Sequence, residues 1–190
     1  MNLPNKLTLS RIALTFVFMF FLFVHWPYGK ITALIVFALA SFTDYLDGKI
    51  AKSRGLVSDF GKFMDPIADK ILILAAFLAF VEMNLIPAWT VVIIIFREFV
   101  ILGLRILGII KGHIIAASRA GKHKTVSQVV TVFSILIYLT LKQYAQGAYL
   151  WTEQFDYLAK NVIFALILVT VILTLISGAS YISKNRRLFK

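Results

Sequence analysis

Long apolar runs separated by short polar segments are the feature of this sequence that most restricts its fold. Of the 190 residues, 60% are hydrophobic, and the mean hydropathy is +0.87. A helix needs about 20 residues to cross roughly 30 Å of hydrocarbon, and the shorter runs approach that length if their polar ends continue as helix. The runs are Leu9–Trp26, Ile31–Leu46, Met64–Val81, Pro87–Leu107, Val126–Tyr144 and Leu158–Ile182. They predict an all-α, polytopic membrane protein, a bundle of six transmembrane helices.

Nothing in the sequence divides this bundle. The first run lacks the small-residue cleavage site of a secretory signal peptide, so we expect it to be retained as a span. No repeat with a period of about 20–50 residues is visible, and no linker is long enough to separate domains. Residues 1–190 are therefore predicted to form a single domain. The absence of cysteine excludes disulfides, a thiolate zinc site and a cysteine nucleophile.

Basic residues give the predicted bundle an orientation. With the amino terminus in the cytoplasm, Lys30, Lys142 and Lys160 lie outside and Arg97 lies within a span, while the other sixteen of the 20 lysines and arginines face the cytoplasm. The positive-inside rule then places both termini in the cytoplasm. The net charge of +11 is carried between apolar runs, which indicates anionic membrane lipid rather than nucleic acid as the partner.

Acidic residues are concentrated in one segment. Five of the nine lie between Asp44 and Asp69. Asp44 and Asp47 are three residues apart and Asp65 and Asp69 four apart, so each pair shares a helix face, whereas Asp59 falls off this pattern and is not counted as a ligand. Carboxylates beside a bilayer are costly and indicate a functional site. Four that converge from two helices predict a divalent-cation site that opens to the cytoplasm.

This segment resembles the signature of the CDP-alcohol phosphotransferases, D-x2-D-G-x2-A-R-x8-G-x3-D-x3-D. Seven of its eight fixed positions match, and the eighth is Lys52, where the family carries arginine. Lysine keeps the positive charge but lacks the two-pronged hydrogen bonding of the guanidinium group, so a phosphate contact there should be weaker or altered. The matching positions are Asp44, Asp47, Gly48, Ala51, Gly61, Asp65 and Asp69.

The resemblance implies a mechanism and a set of site residues. Enzymes of this kind bind two Mg²⁺ or Mn²⁺ ions at the four aspartates and hold the pyrophosphate of a CDP-linked lipid there. Asp69 matches the position proposed as general base for the acceptor hydroxyl. The positions that match CDP-lipid contacts are Asn5, Thr8, Gly48, Ala51, Lys52, Ser58 and Gly61. The resemblance also implies a homodimer.

Two further stretches indicate the acceptor. NLPNKLTLSR at residues 2–11, and REFVILGLR followed by SRAGKHKTVSQ, resemble the bacterial members that make phosphatidylglycerol phosphate from CDP-diacylglycerol and glycerol 3-phosphate in the cell membrane. A dianionic acceptor needs a cationic pocket, because fixed cations form strong hydrogen bonds with phosphate. The candidates are Arg97, Arg105, Arg119, Lys122 and Lys124. Alternatively, these residues only orient the protein in the membrane, or Arg97 forms an ion pair inside the helix bundle.

Other functions remain open at this point. A sister transferase would use serine, inositol phosphate or a phospholipid as acceptor. A metal-dependent lipid phosphatase would share the metal site but release no CMP. A cation-coupled transporter would place its acidic residues near the bilayer midplane, often beside broken helices, whereas here they lie at one interface with glycine and alanine between them.

Overall fold

Six α-helices account for nearly all of the chain that the structure, a computed structural model, describes. The described residues are 3–54, 59–110, 119–147 and 151–185, with side chains described for 9–43, 70–108, 110, 121–145 and 151–185. The helices are α1 (Leu3–Phe23), α2 (Gly29–Arg54), α3 (Asp59–Glu82), α4 (Ala88–Ile110), α5 (Arg119–Gly147) and α6 (Glu153–Lys184). No strand occurs within these ranges, which confirms the all-helical prediction for the part of the chain that is described.

Each helix overlaps one predicted span, but the apolar lengths differ. Two described segments are long and apolar enough to cross a membrane: Gly121–Ala145 with mean hydropathy 1.5 and Glu153–Lys184 with 2.8. Leu9–Phe23 and Gly29–Thr43 are shorter apolar stretches. Charged residues interrupt the apolar stretch of α4, which carries Arg97, Glu98 and Arg105. Six spans and the cytoplasmic position of both termini therefore stay predictions.

The helices pack around a main hydrophobic core to which all six contribute. Helix α1 packs against α2 and α3, α5 packs against α6, and contacts of α2 with α5 and of α4 with α6 join these groups. Phe37 lies near the centre, with its ring 5.6 Å from that of Phe18 on α1 and 5.2 Å from that of Phe133 on α5. Phe77 from α3, Ile94 from α4 and Ile167 from α6 are fully buried in the same cluster.

Many large apolar side chains lie on the outside of the bundle, and several polar side chains are buried inside it. Phe16 is 71% exposed and Phe96 is 70% exposed, and many other large apolar side chains also face outward. Inside, Thr131 of α5 and Thr170 of α6 are buried and share a hydrogen bond of 2.9 Å. Such a surface is far more apolar than that of a soluble monomer, and hydrogen bonds between threonines are typical of helix contacts in lipid.

Local contacts determine the geometry of the connection between α1 and α2. A Cβ atom at Gly29 would lie 2.9 Å from the carbonyl oxygen of Phe21, so only glycine allows α2 to begin this close to α1. Gln143 of α5 forms two hydrogen bonds with the same connection. Its Nε2 donates to the carbonyl oxygen of Trp26 at 2.9 Å, and its Oε1 accepts from the backbone N–H of Lys30 at 3.4 Å.

The connection between α5 and α6 is organised by one carboxylate. Asp156 Oδ1 accepts hydrogen bonds from the hydroxyl of Tyr138 (2.8 Å), Nζ of Lys142 (2.7 Å) and Nε1 of Trp151 (2.9 Å), and Oδ2 pairs with Nζ of Lys160 at 2.9 Å. Asp156 also lies in the first turn of α6, where the helix dipole favours negative charge. One side chain thus joins the end of α5 to the start of α6.

We expect Asp156→Ala to destabilise the protein measurably. The substitution removes the shared acceptor of four donors, and the loss should be roughly 1–3 kcal/mol, which corresponds to a fall in melting temperature on the order of 5 °C for a chain of this size. The measurement is thermal unfolding of the purified protein in detergent. Lys160→Ala is the control, because that side chain is 52% exposed and an exposed ion pair contributes little. Equal melting temperatures for Asp156→Ala and the wild type would contradict this role.

Candidate functional site

The acidic segment lies on two helices, as predicted. Helix α2 continues without a break to Arg54, so Asp44 and Asp47 are both helical, and α3 begins at Asp59, ahead of Asp65 and Asp69. Their spacing therefore places each pair on one helix face, and α2 contacts α3. The side chains of these four aspartates lie outside the described set, so their convergence on a metal stays a prediction.

The residues predicted to hold the CDP-lipid lie on three neighbouring helices. Asn5 and Thr8 are in α1, Gly48, Ala51 and Lys52 are in α2, and Gly61 is in α3. Ser58 falls outside the described residues. Because α1 packs against both α2 and α3, the fold brings these helices together. The contacts of these side chains lie outside the described set, so their roles remain predictions.

A second group of charges surrounds Glu98 of α4. Its Oε1 accepts a hydrogen bond from Nη1 of Arg97 at 3.0 Å and another from Nζ of Lys124 on α5. Its Oε2 pairs with Nζ of Lys70 on α3 at 3.0 Å. The Glu98 and Lys124 side chains are only 5% and 4% exposed, so both charges are taken out of water. Burying a charge is costly unless it is paired, and here each ion is the other's partner. We call Lys70, Arg97, Glu98 and Lys124 the Glu98 cluster.

Helix α6 also contributes to the Glu98 cluster. Nη2 of Arg97 donates to Oγ of Ser177 at 2.6 Å. The next residue, Gly178, lies directly under the arginine, and a Cβ atom there would be 3.2 Å from Cγ of Arg97. The pair Ser177–Gly178 therefore gives Arg97 both a hydrogen-bond acceptor and room to lie flat against α6.

A small pocket opens beside the Glu98 cluster. It has a volume of about 20 Å³ and is lined by Lys70, Glu98, Lys124 and Gln128, together with Ile73, Leu74 and Thr125. This is enough for at least one ordered water molecule. Gln128 is 2% exposed, and its Nε2 has no hydrogen-bond partner among the described residues. The pocket thus presents a carboxylate, two ammonium groups and an amide donor to the same small volume.

The structure brings together only some of the predicted acceptor residues. Arg97 and Lys124 meet at Glu98, and the pairing of Arg97 within the bundle is confirmed. Arg105 lies further along α4 with its Nε buried and without a hydrogen-bond partner in the described part of the chain. Lys122 is exposed at the start of α5. Arg119 is the first residue of α5, and its side chain is outside the described set.

Four residues in and around the Glu98 cluster were not predicted from the sequence. Glu98 was not among the predicted site residues, although an acidic residue in the middle of an apolar run is itself a signal of function. Lys70 was counted only as a cytoplasmic charge, and no sequence pattern links it to Glu98. Ser177 and Gly178 lie in a helix that looked generic, but a pair of small residues in an apolar helix often marks a close contact.

Comparison with known proteins identifies the family of the chain. The family model for CDP-alcohol phosphatidyltransferases matches residues 1–176. The chain belongs to this family. The match includes the four aspartates of the acidic segment and all four residues of the Glu98 cluster, whereas Ser177 and Gly178 lie just beyond its end.

Several bacterial members of the CDP-alcohol phosphatidyltransferase family are similar over almost the whole chain. A Bacillus subtilis (strain 168) protein named CDP-diacylglycerol–glycerol-3-phosphate 3-phosphatidyltransferase is 37% identical, with 97% of this chain and 95% of the relative covered. A Rickettsia bellii protein of the same name is 32% identical, with coverages of 99% and 97%. A probable phosphatidylglycerophosphate synthase of Mycobacterium tuberculosis (strain ATCC 25618 / H37Rv) is 33% identical, with coverages of 98% and 82%.

The position of Arg97 against Gly178 can be tested with a matched pair of substitutions. Replacing a helical glycine by alanine stabilises an open site by about 0.5–1 kcal/mol. Gly103→Ala should show this gain, because a Cβ atom there meets nothing within 4 Å. Gly178→Ala should gain less or lose stability, because the new methyl group presses on an arginine held by Glu98 and Ser177. Thermal unfolding of both variants decides the point, and an equal gain for the two would show that Arg97 is not confined.

Proposed function

We propose that this CDP-alcohol phosphatidyltransferase transfers the phosphatidyl group of CDP-diacylglycerol to glycerol 3-phosphate, giving phosphatidylglycerol phosphate and CMP. The observation that carries the proposal is the similarity to relatives with this activity in their names, which extends over 97% of the chain and 95% of the Bacillus subtilis protein. Similarity over the full length covers the candidate acceptor residues of α4 and α5 as well as the aspartate segment, so it bears on the acceptor and not only on the family.

The aspartates of α2 and α3 are proposed to hold two divalent cations. Their carboxylate oxygens are the hard ligands that Mg²⁺ and Mn²⁺ prefer, and four acidic side chains on two contacting helices supply a fitting donor set. Asp44, Asp47, Asp65 and Asp69 are the proposed ligands. When bound, such ions stabilise negative charge on the oxygens around a phosphoryl centre.

The proposed reaction is a displacement at the phosphorus atom nearest the lipid. The free hydroxyl oxygen of glycerol 3-phosphate forms a bond to that phosphorus, the bond from phosphorus to the CMP oxygen breaks, and CMP leaves with the electron pair. Asp69 accepts the hydroxyl proton. Gly48, Ala51 and Gly61 leave room for the nucleotide, and Lys52 is placed to meet its phosphates. Asn5, Thr8 and Ser58 complete the proposed CDP-lipid contacts.

Cations near α4 and α5 are proposed to bind the acceptor phosphate. Arg97 and Lys124 are the best supported of the five candidates, because both lie in the Glu98 cluster, where three cations surround one carboxylate. The cluster keeps excess positive charge inside the bundle, which suits a dianion. Arg105, Arg119 and Lys122 are retained as candidates on the sequence alone.

The same proposal places the enzyme in a bacterial cell membrane. A single domain of six spans with both termini in the cytoplasm agrees with the apolar outer face and the buried polar contacts, and it directs the aspartates to the cytoplasm, where a soluble acceptor is available. A homodimer is proposed from the family resemblance alone.

The direct test is a CMP-release assay with purified protein. CDP-diacylglycerol and Mg²⁺ are supplied with glycerol 3-phosphate, serine or inositol phosphate in turn, and in a further arm excess EDTA follows dialysis. We expect release of CMP with glycerol 3-phosphate and its loss in EDTA. Release with a different acceptor alone would assign a sister activity, and full turnover in EDTA would exclude the proposed metal role. Lipid cleavage without CMP would indicate a phosphatase.

Asp69 and Asp59 offer a matched test of the general base. Both lie on α3, and only Asp69 fits the shared helix face of the acidic segment. Asp69→Asn should lower kcat by roughly 10²–10⁴, the usual scale for loss of a general base, while Asp59→Asn should keep turnover close to that of the wild type. Binding of CDP-diacylglycerol is measured in parallel. Near-normal turnover of Asp69→Asn removes this residue from the role.

A further inference from the structure

Glu98 stands out because one buried carboxylate meets cations from three different helices. Oε2 pairs with Lys70 of α3, and Oε1 is shared by Arg97 of α4 and Lys124 of α5. Packing of these helices does not require so many buried charges, because replacing a buried ion cluster by apolar residues is often neutral or stabilising for the fold. The presence of such a cluster therefore indicates a role beyond helix packing.

We propose that Glu98 is a positioning residue that holds Lys70, Arg97 and Lys124 in place for the phosphate of the acceptor. The inference rests on the proposed function and adds to it a residue that never touches the substrate's reacting atoms. In this role Glu98 acts through its cations, and Lys70 joins the acceptor-binding group.

The charge balance supports this role. Three cations and one carboxylate leave a net charge of +2 (3 − 1) within the cluster, which matches the charge of a dianionic phosphate. Without Glu98, three positive groups at this spacing would repel one another and move apart before the acceptor arrives. A cation site that is already assembled binds an anion without first ordering long, flexible side chains, and that ordering is a real cost of binding.

The position of the Glu98 cluster supports the role as well. Lys70 directly follows Asp69 in α3, so its ion pair with Glu98 ties the cluster to the helix that carries the proposed general base. Lys70 is also the most accessible cation of the cluster, with a side chain 28% exposed against 11% for Arg97 and 4% for Lys124. An anion that approaches from solvent therefore meets Lys70 first, near Asp69, while Arg97 and Lys124 lie deeper.

Two other roles for Glu98 predict different kinetics. A residue that only stabilises the fold would, when replaced, change protein yield or kcat without a selective change in acceptor KM. A carboxylate that merely competes with the acceptor for its cations would, when neutralised, lower acceptor KM. Positioning predicts the opposite, since Glu98→Gln keeps the shape but places an amide N–H₂ group against one of the cations, which should raise acceptor KM.

The experiment measures KM for both substrates by CMP release in the full-length protein. Glu98→Gln should raise KM for glycerol 3-phosphate by roughly 10-fold, the effect of losing one charge-assisted contact, with KM for CDP-diacylglycerol close to the wild-type value. Glu98→Asp keeps the charge and should recover much of the loss. Glu82→Gln is the matched control, because Glu82 is exposed at the far end of α3, and it should keep both KM values.

Lys70→Gln tests the same inference at a more exposed residue. Alone it should raise acceptor KM, and combined with Glu98→Gln it should add little, because residues that act as a unit are not additive. If Glu98→Gln does not fold, wild-type acceptor KM in Lys70→Gln still overturns the inference.

The outcomes separate this inference from the proposed function. A wild-type protein that releases no CMP with glycerol 3-phosphate overturns the function and the inference together. A wild-type protein that does so, while Glu98→Gln has unchanged or lower acceptor KM or equal changes in both KM values, overturns the inference alone. A selective rise in acceptor KM that Glu98→Asp reduces supports it.

Discussion

The ion pairs of the buried Glu98 carboxylate are the interactions on which the arrangement of α3, α4 and α5 depends. It joins α3, α4 and α5 through Lys70, Arg97 and Lys124, and Arg97 extends the connection to Ser177 on α6. Removing one member of such a group leaves the others charged, buried and unpaired, which is usually far more costly than the group is stabilising. The four helices are therefore constrained relative to one another by charge as well as by packing.

The remaining helices are joined mainly by apolar packing and by small polar contacts. Phe37 connects α2 to α1 and α5 in the core, and Gln143 holds the first turn from α5. At the end of α5 and the start of α6, Asp156 collects the hydrogen bonds of four neighbours. Carboxylates thus contact α5 at two places, Asp156 at its connection to α6 and Glu98 deeper in the bundle, while the outer face stays apolar.

The predicted chemistry lies at the end of α2 and the start of α3. The aspartates lie on helix segments whose positions depend on α1 and on the core below them, and the Glu98 cluster begins at the residue that follows Asp69. A proposed metal site and a proposed acceptor site are thereby connected through a single helix. Helix α3 carries the predicted base Asp69, the predicted metal ligand Asp65 and the cluster cation Lys70.

The sequence by itself determined the helices, the acidic segment and the family. Apolar runs of membrane-spanning length, a fixed spacing of seven motif residues and the positions of Asp44, Asp47, Asp65 and Asp69 are all local properties, and local spacing can be read along a chain. Only the tertiary structure decided that Lys70, Glu98 and Lys124 meet, that Arg97 lies on Gly178, and that Lys122 is exposed. Those contacts join residues up to 81 positions apart, and they depend on how the helices are rotated and packed, which no periodicity along the sequence specifies.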